Sequence, residues 1–325
     1  MNTVQLARWL MQRVEVIPPS PEQEISLLGE MFHHDIFQQG SPAERQAIMR
    51  QFAETAYRDE YGYAWDHYFG TRLTPWLQGK TILEIGCSAG GRSSAWVERY
   101  QPERLVGIDI GQEFVASAGL FTAARGINAD FLCSVGEYLP FASNSFDAIL
   151  TQDTFEHVQN VEQVLRECYR VLKPGGRLMV VFPNFFHPLE HHLGLVTDMP
   201  AIHYVFPGEI LIQAYCDIIN DRGAEAAWYR REQPVLQPWE RGHTINGTTL
   251  ARFRHIIRSQ NWEIMLHSRK PIGSVGRNAS KKLIYQLIAL FFYPLAYLPF
   301  FEEIVLQRIT FILQKPGPAE PVTTS

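Results

Sequence analysis

Apolar and polar positions across residues 76–184 follow a pattern that predicts strands separated by helices. An apolar, β-branched run from Thr81 to Glu84 ends in a glycine-rich turn, TILEIGCSAGG, which is typical of a buried strand turning directly into a helix. Apolar runs at Arg104–Ile108 and Phe146–Thr151 predict further strands, and Lys173-Pro174-Gly175-Gly176 predicts a helix end before another strand. This recurrence predicts an α/β fold with a doubly wound, mostly parallel sheet.

The rest of the chain predicts a helical cap, two insertions and a tail around this core. A helix at Leu250–Ile257, a sixth strand at Trp262–His267 and a seventh at Ile304–Gln314 complete the predicted sheet. The expected organisation is an N-terminal helical cap at 1–75, a core at 76–184, an insertion at 185–247, the end of the sheet at 248–315 with an apolar insertion at 269–303, and a disordered polar tail at 316–325.

The net charge, the cysteine spacing and the N-terminal residues limit which partners and which cellular compartment we expect for this chain. A formal net charge of −5 provides no basic surface for a phosphate backbone, so nucleic acid is disfavoured as a partner. The four cysteines lie far apart without a C-x-x-C pair, which favours neither a zinc site nor a disulfide framework. Charged residues interrupt the N-terminal apolar stretch, unlike a secretory signal. These features predict a cytoplasmic protein.

Two kinds of nucleotide-like cofactor fit the turn after the first strand. A dinucleotide site requires G-x-G-x-x-G, an S-adenosylmethionine (SAM) site requires an acidic residue followed by G-x-G-x-G, and each motif has one mismatch, at Ser88. The middle glycine of a dinucleotide site lets the backbone reach the pyrophosphate, which SAM lacks, so Ser88 favours SAM. Asp109 lies 23 residues after Gly86 at the end of the second strand, where a carboxylate is expected to accept hydrogen bonds from ribose hydroxyls.

Four landmarks follow in order: LPF at Leu139, FD at Phe146, EHV at Glu156 and LKPGG at Leu172. With the glycine-rich turn they resemble class I SAM-dependent methyltransferases over Gly79–Asn184. The resemblance implies a seven-stranded Rossmann-like sheet with an antiparallel last strand, SAM as cofactor and methyl transfer as activity. Ser88 replaces the family's middle glycine, and Val135 stands where relatives often carry an aspartate for the adenine amino group. The expected cofactor-binding residues are Glu84, Gly86, Cys87, Ser88, Gly90, Asp109, Ile110, Val135, Gly136, Glu137, Gln152 and Asp153.

Methyl transfer to a hydroxyl requires a proton acceptor, and histidine suits this role because its ordinary pKa is near 6.5. Residues after the fourth strand and in the first insertion provide the candidates Asp153, Glu156, His157, His187, His191, His192 and His203. Among them, His157, His191 and His192 are the predicted catalytic residues. A metal site from the histidines of the first insertion is disfavoured, because Pro188 interrupts the helix that such a spacing would need.

The acceptor is expected to be a small molecule, with several classes open. The first insertion between His187 and Pro207, with HTINGTTLARF, resembles methyltransferases often found beside sugar-modifying genes, which implies an oxygen of a glycan or small metabolite. A lipid or quinone-like acceptor is the alternative within the class. A non-catalytic SAM-binding or interaction protein is the alternative outside it, because of the departures at Ser88 and Val135.

The segment Leu283–Phe300 is nearly all apolar and approaches the length that spans a bilayer. Pro294 and Pro299 interrupt it, and basic residues precede it. We expect it to pack on the domain beside the acceptor site, with interfacial membrane docking through residues 281–300 as an alternative that suits anionic lipid.

Overall fold

The computed structural model describes residues 1–16, 41–62, 65–191, 193–194, 196–221, 246–274 and 282–317. Within these residues seven strands form one sheet: β1 Thr81–Ile85, β2 Arg104–Asp109, β3 Asp130–Cys133, β4 Phe146–Gln152, β5 Leu172–Phe182, β6 Glu263–His267 and β7 Ile309–Gln314. The sheet order is β3-β2-β1-β4-β5-β7-β6, in which β7 runs antiparallel to both of its neighbours. The predicted seven-stranded, mostly parallel α/β sheet is confirmed.

Helices cover both faces of this sheet. In chain order they are α1 Thr3–Met11, α2 Pro42–Gly62, α3 Asp66–Phe69, α4 Thr74–Leu77, α5 Gly91–Tyr100, α6 Gln112–Ala123, α7 Val161–Val171, α8 Ile202–Val205, α9 Gly208–Asp221, α10 Leu250–Ser259, α11 Lys282–Phe292 and α12 Pro299–Val305. Short 3₁₀ turns lie at Gln12–Val14 and Leu295–Tyr297. One core cluster contains Val164 of α7 and Phe253 of α10, and another contains Trp96 of α5 and Trp65. The buried strands are therefore covered on both sides, as a parallel sheet requires.

The N-terminal segment is divided between two parts of the fold. Helix α1 packs through Ala7 and Met11 against the apolar side chains of α9 in the first insertion. Helix α2 instead lies against α5, where a Cβ added at Gly91 would stand 2.0 Å from the carbonyl oxygen of Ala53. Of these two helices, α2 therefore borders the glycine-rich turn, whereas α1 supports the first insertion.

Two sequence-based boundaries differ from the structure, and the expected interruption of the apolar stretch by two prolines is present. Strand β7 begins at Ile309 and not at Ile304, because the preceding apolar residues form α12. The Lys173–Gly176 segment lies inside β5, where the β4–β5 register shifts between Phe146 and Ala148. The apolar stretch is divided by Pro294 and Pro299 into α11, a 3₁₀ turn and α12. Most of the 316–325 tail lies outside the described residues.

Candidate functional site

The turn between β1 and α5 holds a backbone conformation that requires glycine. Gly86, Ser88 and Gly90 have φ angles of 84°, 47° and 81°. A Cβ on Gly86 would stand 2.2 Å from Thr154 Oγ1, and one on Gly90 would stand 2.8 Å from Ala118 Cα. Both glycines are therefore needed for the left-handed conformation and for close packing. The turn forms a cradle at the carboxyl end of the central strand.

Asp109 at the end of β2 connects this turn to the next one. Its Oδ2 accepts a hydrogen bond from the backbone N–H of Ser88 at 2.9 Å, and its Oδ1 accepts one from Gly111 at 3.0 Å. Ser88 thus uses its backbone N–H to orient the carboxylate at the place predicted for the ribose. Replacing the family's middle glycine by serine leaves this part of the cradle intact.

Glu84, in β1 beneath the cradle, is a buried carboxylate. Its Oε2 accepts a hydrogen bond from Ser93 Oγ at 2.5 Å. Burial raises the pKa of Glu84 to about 7, because the charged form is poorly solvated. A cationic group beside it would restore the charged form, so the residue suits the amino group of a methionine moiety. Cys87 is also buried, and burial raises the pKa of its thiol well above the ordinary value.

Two apolar side chains at neighbouring strand ends face solvent. Ile110 after β2 is 57% exposed and Val135 after β3 is 43% exposed. Exposed apolar groups on both sides of a strand-end crevice suit a planar base such as adenine. The loop after β3, which carries Val135, is anchored by Glu137, whose Oε1 accepts hydrogen bonds from the backbone N–H groups of Gln159 and Asn160 at 2.9 and 3.1 Å. These bonds give Glu137 a structural role, and the cofactor contact predicted for it stays a prediction.

The end of β4 is held by two arginines. Asp153 has a φ of 53°, and its Oδ1 accepts a hydrogen bond from Arg308 Nη1 at 2.6 Å. Arg92 of α5 donates to the carbonyl oxygen of Gln152 at 3.2 Å and lies 3.6 Å from Asp153 Oδ2. These contacts place Gln152 and Asp153 beside the cradle. Arg308, which connects α12 to β7, was missed by the sequence reasoning, because only the fold brings it here.

A small pocket opens beyond β4 and β5, on the same edge of the sheet as the cradle. Its cavity volume is about 10 Å³, and it is lined by Glu156, Pro183, Asn184, Phe185, Glu190, Gly247 and Thr248. A cavity of that size holds about one water molecule, so it would admit the reacting group of an acceptor and not the whole molecule. Because the crossover connections reverse direction between β1 and β4, the cradle and the pocket border the switch point where such sheets bind ligands.

Several buried polar atoms at this edge have no hydrogen-bond partner in the described part of the chain. They include Glu156 Oε2, Asn184 Oδ1 and Gln152 Oε1. Buried polar groups are almost always paired, and two of these three, on Glu156 and Asn184, line the pocket, which makes it the candidate acceptor site. Burial and the nearby Asp153 carboxylate raise the pKa of Glu156 well above its usual value. Its neighbour His157 has Nε2 3.7 Å from Glu156 Oε1.

The predicted histidines are not equivalent in the structure. His157 borders the pocket acid Glu156 and is partly exposed. His191 is 1% exposed, its Nδ1 accepts a hydrogen bond from the backbone N–H of Leu193, and burial lowers its pKa to about 4. A base with that pKa is weak at neutral pH, which disfavours His191 as proton acceptor. His192 lies outside the described residues.

Other histidines of the first insertion are buried in the same way. Burial lowers the pKa of His187 to about 3 and that of His203 to about 4. The Nε2 atom of His203 lies 3.0 Å from the carbonyl oxygen of Phe185. Among the residues that the structure describes, no three or more His, Cys, Asp or Glu side chains group so as to hold a metal ion.

Comparison with known proteins agrees with this geometry. A family model described as a methyltransferase domain matches residues 83–180. The chain is 32% identical over 105 residues to a ubiquinone biosynthesis O-methyltransferase of Pseudomonas paraeruginosa, covering 32% of this chain and 44% of that protein. It is 39% identical over 187 residues to 24-methylenesterol C-methyltransferase 2 of Arabidopsis thaliana, covering 51% of each.

Among solved structures, the chain is similar to an S-adenosylmethionine dependent methyltransferase from Mesorhizobium loti. The TM-score is 0.48 at 14% identity, covering 74% of this chain and 93% of that chain. The chain spans about half the length, or somewhat less, of the curated relatives it matches. The core of the chain, centred on residues 83–180, is a class I, S-adenosylmethionine-dependent methyltransferase domain.

Proposed function

We propose that this chain transfers the methyl group of SAM to an oxygen atom of a small-molecule acceptor. The observation that carries the proposal is Glu156, a buried carboxylate whose Oε2 is unpaired among the described residues and which lines the pocket beside the cradle. A hydroxyl acceptor bound in this pocket would supply the missing hydrogen-bond donor. The cradle residues Gly86, Gly90 and Asp109 support SAM as methyl donor, because they fit a nucleoside without a phosphate.

In the proposed reaction Glu156 accepts the proton of the hydroxyl and His157 relays it to solvent. SAM supplies an electrophilic methyl group on a positively charged sulfur. A carboxylate with a raised pKa is a stronger proton acceptor than an ordinary one, so Glu156 in its charged form takes the hydroxyl proton as the oxygen attacks. The adjacent His157 is partly exposed, and its Nε2 lies 3.7 Å from Glu156 Oε1, so it would relay the proton to solvent once that distance closes to a hydrogen bond. Pro183 and Phe185 contribute the apolar lining that keeps water from the reacting oxygen.

For the acceptor we propose lipid or quinone-like chemistry. The printed names of two relatives, a ubiquinone biosynthesis O-methyltransferase and a sterol C-methyltransferase, favour an apolar acceptor. The pocket would admit only the reacting hydroxyl of any acceptor, so the choice among acceptors rests on these names. The glycan or small-metabolite acceptor expected from the sequence stays a prediction, as does the non-catalytic alternative.

A methyl-transfer assay tests the function. The purified chain is supplied with SAM and, in turn, with a short-chain hydroquinone or catechol and with oligosaccharides, and the demethylated cofactor is measured by mass spectrometry. With an accepted hydroxyl substrate, Glu156→Gln should lower turnover ~10²–10⁴-fold while the SAM dissociation constant stays unchanged. Glu162→Gln is the matched control, because Glu162 lies on α7 and pairs with Arg166 at the surface.

Full turnover of Glu156→Gln on a hydroxyl acceptor would remove Glu156 from the proton transfer. The same result with His157→Gln showing a large loss would assign the proton to His157 alone. SAM binding without product from any acceptor in either class would instead favour the non-catalytic alternative.

A further inference from the structure

Ten large apolar side chains between residues 283 and 301 face away from the protein. We call this set the apolar platform; its members are Leu283, Ile284, Leu287, Leu290, Phe291, Tyr293, Tyr297, Leu298, Phe300 and Phe301, each 40–74% exposed. The five on α11 repeat at intervals of one, three or four residues and therefore share one face of the helix. The sequence-based expectation that this segment packs on the domain holds only for its other face.

The opposite face of the segment fixes it to the domain. Phe292 and Leu295 pack against the main core cluster, which includes Ala296. Helix α11 also approaches the backbone closely, because a Cβ added at Gly273 would stand 2.6 Å from the carbonyl oxygen of Tyr285. The apolar platform is thus a fixed part of the fold that displays its outer face.

The size of the apolar platform exceeds what a monomer usually exposes. Aromatic side chains each present about 150–250 Å² when fully exposed, so ten partly exposed large apolar residues present on the order of 1,000 Å². Contiguous exposed apolar patches above a few hundred Å² mark protein or membrane interaction sites. The tyrosines Tyr293 and Tyr297, whose hydroxyl oxygens lie 3.1 Å apart, add polar ends of the kind enriched at membrane–water interfaces.

The charge of this segment favours a membrane over a protein as the partner of the apolar platform. Residues 269–301 contain five lysines and arginines and no aspartate or glutamate, although the whole chain has a net charge of −5. The next two acidic residues are already engaged. Glu302 pairs with Arg254 and with Arg269, and the carboxylate of Glu303 accepts hydrogen bonds from the backbone N–H groups at the start of α10. Lys270 donates to the carbonyl oxygen of His67, so the basic residues nearest the apolar platform in sequence are Arg277, Lys281 and Lys282. Lysine is depleted at protein interfaces, whereas basic residues beside an apolar face suit anionic lipid head groups.

The apolar platform is too short to span a bilayer. No helix in the described part of the chain is long and apolar enough to cross a membrane. Helix α11 has 11 residues and is about 16 Å long, against the ~30 Å thickness of the hydrocarbon core. We propose that the apolar platform docks in the plane of an anionic lipid bilayer, with its leucine and phenylalanine side chains at the boundary between head groups and acyl chains.

Docking would bring the acceptor pocket to the membrane. Asn184, which lines the pocket, donates a hydrogen bond from Nδ2 to the carbonyl oxygen of Glu303 at 2.5 Å. Only one residue separates Glu303 from the end of the apolar platform at Phe301. An acceptor with a lipid tail in the bilayer therefore has a short path to Glu156. This extension rests on the proposed function, whereas docking itself does not.

Vesicle co-sedimentation of the full chain tests docking. We expect binding to vesicles of phosphatidylcholine with phosphatidylglycerol, weaker binding to phosphatidylcholine alone, and weaker binding to the anionic vesicles at high salt. The double variant Leu290→Gln/Phe291→Gln should bind the anionic vesicles roughly tenfold or more weakly, because two inserted apolar side chains are lost. Its melting temperature should match that of the natural chain, since both residues are exposed. Leu120→Gln, at a leucine on α6 that is 57% exposed, is the control and should bind normally.

Equal sedimentation with and without vesicles would overturn the proposal. So would a lipid-free dimer in sedimentation velocity that the double variant converts to monomer, because the apolar platform would then be covered by a second copy. Turnover measurements distinguish the membrane-docking proposal from the proposed methyl transfer. With a membrane-embedded acceptor the double variant should lose turnover, and with a short-chain acceptor of the same head group it should keep it. A chain that binds vesicles but methylates neither acceptor would refute the proposed function alone.

Discussion

Substituting Gly86 by alanine tests the geometry of the cofactor cradle. The φ of 84° costs an L-residue about 1–2 kcal/mol. The new Cβ would stand 2.2 Å from Thr154 Oγ1, and relieving such overpacking costs about 1–3 kcal/mol. Thr154 cannot move freely, because its hydroxyl donates to the carbonyl oxygens of Ile85 and Gln152 at 3.2 and 3.1 Å. We therefore expect Gly86→Ala to lower the free energy of unfolding by about 2–5 kcal/mol.

Substitutions at two other glycines distinguish the cost of the positive φ from the cost of the steric contact with Thr154. Gly175 has a φ of 81° with no atom within 4 Å of an added Cβ, so Gly175→Ala reports the strain alone, about 1–2 kcal/mol. Gly119 lies in α6 with open space around it, so Gly119→Ala should be neutral or stabilising. Urea denaturation gives the three free energies of unfolding. Calorimetry gives SAM affinity, which should fall in Gly86→Ala and in neither control.

A double-mutant cycle with Thr154→Ala completes the test. Removing the threonine hydroxyl and methyl relieves the closest contacts, so Gly86→Ala should cost about 1–3 kcal/mol less in that background. Equal losses in Gly86→Ala and Gly175→Ala, or zero coupling with Thr154→Ala, would refute the reasoning. The cradle would then not be set by the contact of Gly86 with Thr154.

Two further predictions concern charge. SAM should bind the chain and NAD should not. The Asp109→Ala variant should bind SAM about tenfold to a hundredfold more weakly, because charge-assisted hydrogen bonds to the ribose are lost. An unchanged SAM dissociation constant in calorimetry would exclude the ribose contact. Burial lowers the pKa of His191 to about 4, so the unfolded chain binds its proton near pH 6.5 and the folded chain does not. The unfolding free energy should therefore fall between pH 6.5 and 4, by about 3 kcal/mol from this residue. His191→Asn, which keeps an acceptor for Leu193 N–H, should reduce that fall, and an identical pH profile by urea denaturation would contradict the burial argument.

Local features of the chain were readable from the sequence because they act over a few residues. The strand ending in the TILEIGCSAGG turn was predictable, since an apolar run and glycines at positions of positive φ constrain the backbone locally. Asp109 was predictable because the second strand must end on the same edge as the first. The start of β7 was misplaced, because residues that end a helix and residues that begin a buried strand are equally apolar.

The chemistry around the acceptor pocket was decided only by the tertiary structure. Glu156 was one of seven candidates in the sequence, from which three histidines were preferred, whereas burial in the structure raises the pKa of the Glu156 carboxyl and lowers that of His191. Arg308 reaches Asp153 across 155 residues of chain, a pairing that no local pattern encodes. The apolar platform was visible as composition alone. Which of its faces packs and which faces solvent depends on how α11 meets the core, since periodicity cannot orient a helix that is apolar all round.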